Sequence, residues 1–392
     1  MTRTAFVLCA VASALLSLCA PATAGPERVE QVAAMARPLI ERQITPGLII
    51  GLLEDGERTV VPLGSTSYDK NTPPDERTMY EIGSITKVFT SLLLADAEAR
   101  GELSENDTLA EHLPEGVPLH EVNPANPIKL VDLSGHSSGL PRMPNNIRPT
   151  DPMNPYADYT PERLWAFLTE VKPAREPGEG YEYSNLAAGL LGTVLALEAG
   201  TTYERLMLDR VAGPLGMSQT TITLSDEQRA RLAPPHRNGI PMHNWDFDAL
   251  AGCGAIRSDV TDMLTLAEAT LAARADDAAE TDALKTAPDT LVTALRSVQD
   301  RRFEPGGSQP DVALGWHLTG PTGRVVWHNG GTGGYSTFLA VNTLNKTAVV
   351  VLANGSSQEI TTLGFGIIKA MGRPVPGSSG EDRTDDPDDE VP

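Results

Sequence analysis

A serine hydroxyl becomes a useful nucleophile only beside a group that can take its proton. Three serine patterns in this chain compete for that role. The first is Ser84-Ile85-Thr86-Lys87, which opens the strongest amphipathic run in the sequence, Ser84 to Arg100. Ile85, Val88, Phe89, Leu92 and Leu93 are its apolar positions, and Gly101 can end the helix. Residues three apart on a helix share a face, so the Lys87 amine can reach the Ser84 hydroxyl. The positive end of the helix dipole also favours negative charge at Ser84. Taken alone, the pair fits equally an N-cap serine beside a surface lysine.

The second pattern is Gly135-His136-Ser137-Ser138-Gly139, a match to the G-x-S-x-G elbow. That elbow needs a helix directly after it. Leu140-Pro141-Arg142-Met143-Pro144 follows instead, and no helix can start there. The stretch reads as a supporting turn. The third, Ser67-Tyr68-Asp69-Lys70, precedes the turn Asn71-Thr72-Pro73-Pro74. Off a helix, a spacing of three does not align the two side chains, so this match reads as chance. Two further groups of chemistry-bearing residues stand apart from these. Tyr183-Ser184-Asn185 offers a phenol, a hydroxyl and an amide just before a helix. His328-Asn329-Gly330-Gly331 closes a predicted strand, and its glycines would let a substrate backbone approach closely.

The elements that must position these groups can be read from periodicity. Pro26 to Gln43 predicts a helix. Leu48–Leu53 and Thr59–Leu63 flank Asp55-Gly56 as a hairpin. A loop-rich middle carries a helix near Pro161–Val171, and further helices are predicted over Leu186 to Leu197 and Arg257 to Ala273. Arg324–His328, Thr337–Asn342 and Thr347–Leu352 read as three successive strands, followed by a helix from Ile360 to Met371. The order implies an α+β fold. The last strands join the first hairpin in an antiparallel sheet, the terminal helices cover one face, and a mainly helical region is inserted beside a cleft. The sheet region is expected over about residues 25–83 and 275–372, and the helical region over about 84–274.

The ends are different in kind. Residues 1–24 read as a signal peptide: Arg3, an uncharged apolar run from Ala5 to Ala20, and the cleavage pattern Ala22-Thr23-Ala24. This implies a periplasmic or secreted protein with no membrane span after cleavage. Cleavage would remove Cys9 and Cys19 and leave Cys253 alone, so no intramolecular disulfide is expected. Residues 373–392 are polar, proline-containing and acidic, and read as a disordered tail. The chain of 392 residues carries 31 Lys+Arg against 52 Asp+Glu, a net charge of −21. That argues against nucleic acid or an anionic membrane as partner. It does not exclude a small anionic substrate, which needs only a local positive pocket.

The ordered set Ser84-x-x-Lys87, Tyr183-x-Asn185 and His328-x-Gly330 resembles the serine β-lactamase and penicillin-binding protein superfamily. Within it, class C β-lactamases, D,D-peptidases and related esterases are the most similar. His136-Ser137-Ser138-Gly139-Leu140-Pro141, Pro214-Leu215-Gly216-Met217 and Leu314-Gly315-Trp316 resemble supporting stretches of that family. The resemblance runs from about residue 30 to 370 and implies a β-lactamase/transpeptidase-like fold. It also implies roles. Ser84 would be acylated, and Lys87 and Tyr183 would share general-acid and general-base work. Asn185 would bind the substrate amide. The N–H groups of Ser84 and Gly331 would form the oxyanion hole, where loss of one donor costs roughly 2.7–4 kcal/mol. His328 would replace the lysine that commonly opens the third motif, either as a cation titrating near neutrality or as a neutral hydrogen-bond donor.

Other candidates are weaker. Most of His112, His120, His136, His236, His243 and His317 read as surface or hydrogen-bonded loop residues, none shows metal-ligand spacing, and no cofactor is expected. Cys253, in Ala251-Gly252-Cys253-Gly254-Ala255, reads as a small buried filler. Trp245, Asp246 and Asp248 are candidates for the cleft wall. The leading function is therefore a serine hydrolase acting through an acyl-enzyme on β-lactam, D-Ala-D-Ala-type peptide or small ester bonds. The alternative is a penicillin-binding sensor that acylates without turnover.

Overall fold

The computed structural model describes residues 25–274, 283–320 and 323–372. The signal-peptide and acidic-tail expectations lie outside them. Helix α1 (Pro26–Glu41) leads into the hairpin β1 (Gly47–Glu54) and β2 (Glu57–Gly64). The turn is Asp55-Gly56, both at positive φ, as a two-residue hairpin loop requires. The helical region follows, including α2 (Thr86–Ala99), α3 (Asn185–Glu198), α4 (Val260–Ala272) and α5 (Asp289–Ser297). The chain then returns to the sheet through β3 (Asp311–Val312), β4 (His317–Thr319), β5 (Val325–Gly331), β6 (Ser336–Asn342) and β7 (Thr347–Ala353). Helix α6 (Glu359–Met371) closes the fold.

The seven strands lie in the order β2-β1-β7-β6-β5-β4-β3, so the last full strand pairs with the first hairpin. Leu48 faces Ala353 and Glu54 faces Thr347 across the antiparallel β1–β7 ladder. The central strands are apolar on both faces because both are covered. On one face, Val32, Ala36 and Leu39 of α1 and Ile360, Leu363 and Ile367 of α6 pack against Leu48, Ile50, Phe338 and Val351. On the other, Val260, Met263 and Leu264 of α4 lie in one core with Ile49, Leu339, Val350 and Leu352. The expected cover of terminal helices is present. However, α4 falls on the helical side of the boundary drawn at residue 274 and yet packs on the sheet, so that boundary divides elements joined by packing.

Two glycines bring the sheet to the helical region. A Cβ on Gly330 would lie 2.0 Å from the Ile82 carbonyl oxygen and 2.3 Å from Thr337 Oγ1. Thr337 Oγ1 donates to that same carbonyl at 2.8 Å. The bare face of Gly330 therefore admits the Ile82 carbonyl. Gly83 (φ +52°) completes the approach, since its Cβ would stand 2.6 Å from the Gly331 nitrogen. With Gly83 in the left-handed region, Gly83–Ile85 forms a 3₁₀ turn and α2 begins only at Thr86. Ser84 thus stands in a tight turn before the helix, where the sequence placed it in the helix itself.

Gly330→Ala is expected to destabilise the protein by about 1–3 kcal/mol, the usual cost of forcing atoms into packed space. The urea-unfolding midpoint measures this. A midpoint equal to the parent's would mean that β5 does not need this close approach to Ile82.

Candidate active site

The segment carrying Tyr183 and Asn185 is held by the loop that imitates a serine elbow. His136 (φ +59°) accepts the Glu182 N–H at its carbonyl and the Ser184 N–H at its ring Nδ1. Ser184 caps α3 by accepting from Ala187 N–H, and its hydroxyl donates to the Pro141 carbonyl at 2.7 Å. Arg142 O accepts the N–H groups of Asn185 and Leu186. The Ser137 hydroxyl is turned away and donates to Asp132 Oδ1 at 2.7 Å. Gly135 to Gly139 is therefore a clamp on the tyrosine segment, as a supporting turn should be. Ser67 accepts from Asp69 N–H in a turn, with no helix to align it with Lys70.

Lys87 is the centre of the arrangement. Its amine is buried and donates to Ser84 Oγ at 3.0 Å, Asn185 Oδ1 at 2.9 Å and the Cys253 carbonyl at 2.8 Å. Three acceptors match the three N–H bonds of an ammonium. The amine also lies 4.8 Å from the centre of the Tyr183 ring, on its face. Because Ser84 Oγ accepts from Lys87, its own proton is free to point elsewhere. Asn185 is fixed at its other end by donating from Nδ2 to Tyr156 Oη at 3.1 Å. Cys253 contributes its carbonyl only. Burial pushes its thiol up to about 11, far from thiolate chemistry.

The histidines differ in part from expectation. His136, His236, His317 and His328 are all buried; His136 is a hydrogen-bonded loop residue as expected, whereas His236 and His317 stand in short strands. Three of them adjoin Tyr183, with ring centres 4.4 Å (His136), 6.1 Å (His328) and 6.4 Å (His317) from its own. His317 and His328 stack at 5.1 Å. Burial, then the proximity of His317 and Lys87, holds His328 well below the usual histidine range, so it is neutral. Its Nδ1 lies 2.6 Å from the Asn329 carbonyl, which can only accept. The ring proton is therefore on Nδ1, and Nε2 is a buried lone pair without a partner among the described residues. His328 therefore donates from Nδ1 to its own backbone strand. Burial followed by Lys87 lowers His317 to about 4.

Ser84, Tyr183, Asn185, Gly330 and Gly331 all line one cavity of about 640 Å³ between β5 and the helical region. Trp245 lines it too. Asp246 instead pairs with Arg257 at 2.9 Å, and Asp248 is not part of the wall. Behind the wall, buried Glu81 accepts from the Trp245 N–H and Asn244 Nδ2, 3.5 Å from Arg257. Burial raises its carboxyl even against that cation. The wall residues that were not assigned to a site from the sequence include His317, Arg142 and Arg237. Two had a signal in their neighbours. Arg142 directly follows the clamp loop, and His317 directly follows Leu314-Gly315-Trp316. Arg237 had none.

A family model described as Beta-lactamase matches residues 32–362. The D-alanyl-D-alanine-carboxypeptidase/endopeptidase AmpH of Escherichia coli K12 is 29% identical over 331 residues, 82% of this chain and 83% of that protein. A protein named Beta-lactamase from the same organism is 25% identical over 380 residues, covering 88% and 93% of the two chains. The fold is also similar to a solved structure of a class C beta-lactamase. Its TM-score is 0.74 at 22% identity, covering 88% of this chain and 96% of that one.

A histidine held below its ordinary value binds fewer protons folded than unfolded. Stability is then lost as pH falls from about 6.5 towards about 4 for His317, at about 1.4 kcal/mol per pH unit. His317→Gln is expected to flatten the stability profile by that slope in that window. Asp259, pushed up to about 7 mainly by burial, titrates in both proteins and cancels in the difference. Chemical-denaturation curves at pH 4.5, 5.5 and 6.5 measure it, and parallel profiles would contradict the burial of a neutral His317.

Proposed function

The chain belongs to the beta-lactamase family, and from that premise we propose that it hydrolyses D-Ala-D-Ala-type peptide bonds through an acyl-enzyme on Ser84. β-Lactams and small esters belong to the wider class of compounds that can acylate the same serine. The observation that carries the reading is the 3.0 Å contact of Lys87 Nζ with Ser84 Oγ, in a site that also contains Tyr183 and Asn185. The peptidase emphasis draws support from the relative named as a carboxypeptidase/endopeptidase.

In this reading the Lys87–Tyr183 pair enters the step one proton short of an ammonium beside a phenol, and as Ser84 Oγ attacks the carbonyl carbon its proton fills that vacancy. The oxyanion accepts from the N–H groups of Ser84 and Gly331, which the close approach of Gly83 to Gly331 supports. As the carbon–nitrogen bond breaks, Tyr183 returns a proton to the leaving amine. Water then adds to the ester, giving one proton to the same pair, and Ser84 recovers its hydrogen as the acid departs. Asn185 Nδ2, on the same wall as Tyr183, would hold the amide on the acyl side of the scissile bond. The sequence of residues 1–24 supports placing this activity in the periplasm or outside the cell. The sensor alternative is not favoured by relatives named as hydrolases, and product formed beyond one equivalent per protein distinguishes the two.

Ser84→Ala is expected to reduce hydrolysis of an activated ester to background, while Ser137→Ala retains most of it. Tyr183→Phe should lower the rate by about 10²–10⁴-fold without unfolding the protein. Steady-state rates beside circular dichroism check all three. A folded but inactive Ser137→Ala, with Ser84→Ala active, would move the nucleophile to the clamp loop.

A further inference from the structure

In a chain with 52 Asp+Glu against 31 Lys+Arg, a cationic side chain usually meets a carboxylate. Most described arginines do, from Arg28 with Glu54 to Arg302 with Glu105. The cavity around Ser84 departs from that pattern. Arg142 and Arg237 both line it, while no Asp or Glu among the described residues does. Neither guanidinium forms an ion pair or hydrogen bond with another described residue, and both side chains are exposed to the solvent that fills the cavity.

Both are nevertheless carried on fixed backbone. Arg142 is anchored through its carbonyl to the first N–H groups of α3, and its guanidinium stands 5.0 Å from the centre of the Tyr183 ring. Arg237 follows His236, whose N–H lies within hydrogen-bond reach of the Gly334 and Asn354 carbonyls and whose carbonyl accepts from Ser356 N–H. Arg142 thus stands on the helical wall with Asn185, and Arg237 on the sheet wall, beside Ser356, Gln358 and Thr361. An unpaired arginine presents a fork of N–H donors matched to a carboxylate.

Resting on the acyl-enzyme reading, we propose that Arg142 and Arg237 form a two-sided anion clamp. The preferred substrate then carries a carboxylate on each side of the scissile bond. Asn185 fixes the direction: the acyl-side carboxylate goes to Arg142, and the carboxylate of the leaving amino acid goes to Arg237. The second assignment supplies from β6–β7 flanking backbone the positive charge that neutral His328 does not. The clamp selects the substrate and does not take part in the bond-breaking step.

Binding to full-length Ser84→Ala protein, followed by NMR titration, tests this independently of turnover. The probes are N-succinyl-D-alanine, N-acetyl-D-alanine, N-succinyl-D-alaninamide and N-acetyl-D-alaninamide, with both, one, the other and neither carboxylate. Added Arg142→Gln should raise Kd for the two succinyl probes about tenfold relative to their acetyl partners, the scale of one partly solvated charge-assisted hydrogen bond. Added Arg237→Gln should do the same for the two free alanines relative to the alaninamides. Both effects should shrink at high salt. Equal changes for charged and neutral probes, or no preference for the dicarboxylate before the arginines are replaced, would overturn the clamp. Failure of a neutral activated ester to acylate the Ser84-containing parent, with the probe preferences intact, would count against the acyl-enzyme reading and leave the clamp standing.

Discussion

A lysine amine buried in a protein interior is stable only where each N–H finds an acceptor, because an unpaired buried charge costs far more than any one contact returns. Lys87 meets that requirement with a hydroxyl, a side-chain amide and a backbone carbonyl from three distant parts of the chain: residues 84, 185 and 253. Satisfying one amine therefore fixes the turn before α2, the first residue of α3 and the loop before α4 relative to one another. The site is organised from this buried point outward, and the cavity is what the three segments leave open.

The other constraints serve the same geometry. The sheet reaches the turn before α2 only because Gly330 and Gly83 lack side chains, so the end of β5 can lie against Ile82 and Gly83. The loop from Gly135 to Arg142 spends its polar groups on the segment from Glu182 to Leu186, setting the Tyr183 ring across the face of Lys87. Glu81 holds the Trp245 side of the wall from behind. Each device consumes a buried polar group or a missing Cβ. Accordingly, several of the least replaceable residues here do no chemistry themselves.

Much of this was legible in the sequence. The hairpin, the closing meander and the two terminal helices follow from apolar periodicity and turn residues, because a sheet covered on both faces leaves long apolar runs. The Ser84–Lys87 pairing follows from their spacing at the head of a helix. What periodicity cannot carry is the environment of a polar side chain. His328 was readable as a position, but its neutrality depends on burial beside His317 and Lys87, which are remote in sequence from one another. The left-handed Gly83 before Ser84 lies against Gly331, nearly 250 residues away. Arg237 lies in a polar stretch with no pattern at all, and only the ends of β6 and β7 bring it to the cavity wall.

The most direct test of the central claim is rapid-quench mass spectrometry with a penicillin, with the adduct located by peptide mapping, on the parent and on Lys87→Met. Methionine keeps the unbranched stem of the lysine side chain, one atom shorter and without its N–H groups. The account requires a single adduct on the peptide containing Ser84 in the parent, and acylation slowed by at least about 10²-fold in a Lys87→Met protein that remains folded. An adduct on Ser137 or any other serine, or acylation of folded Lys87→Met at the parent rate, would contradict it.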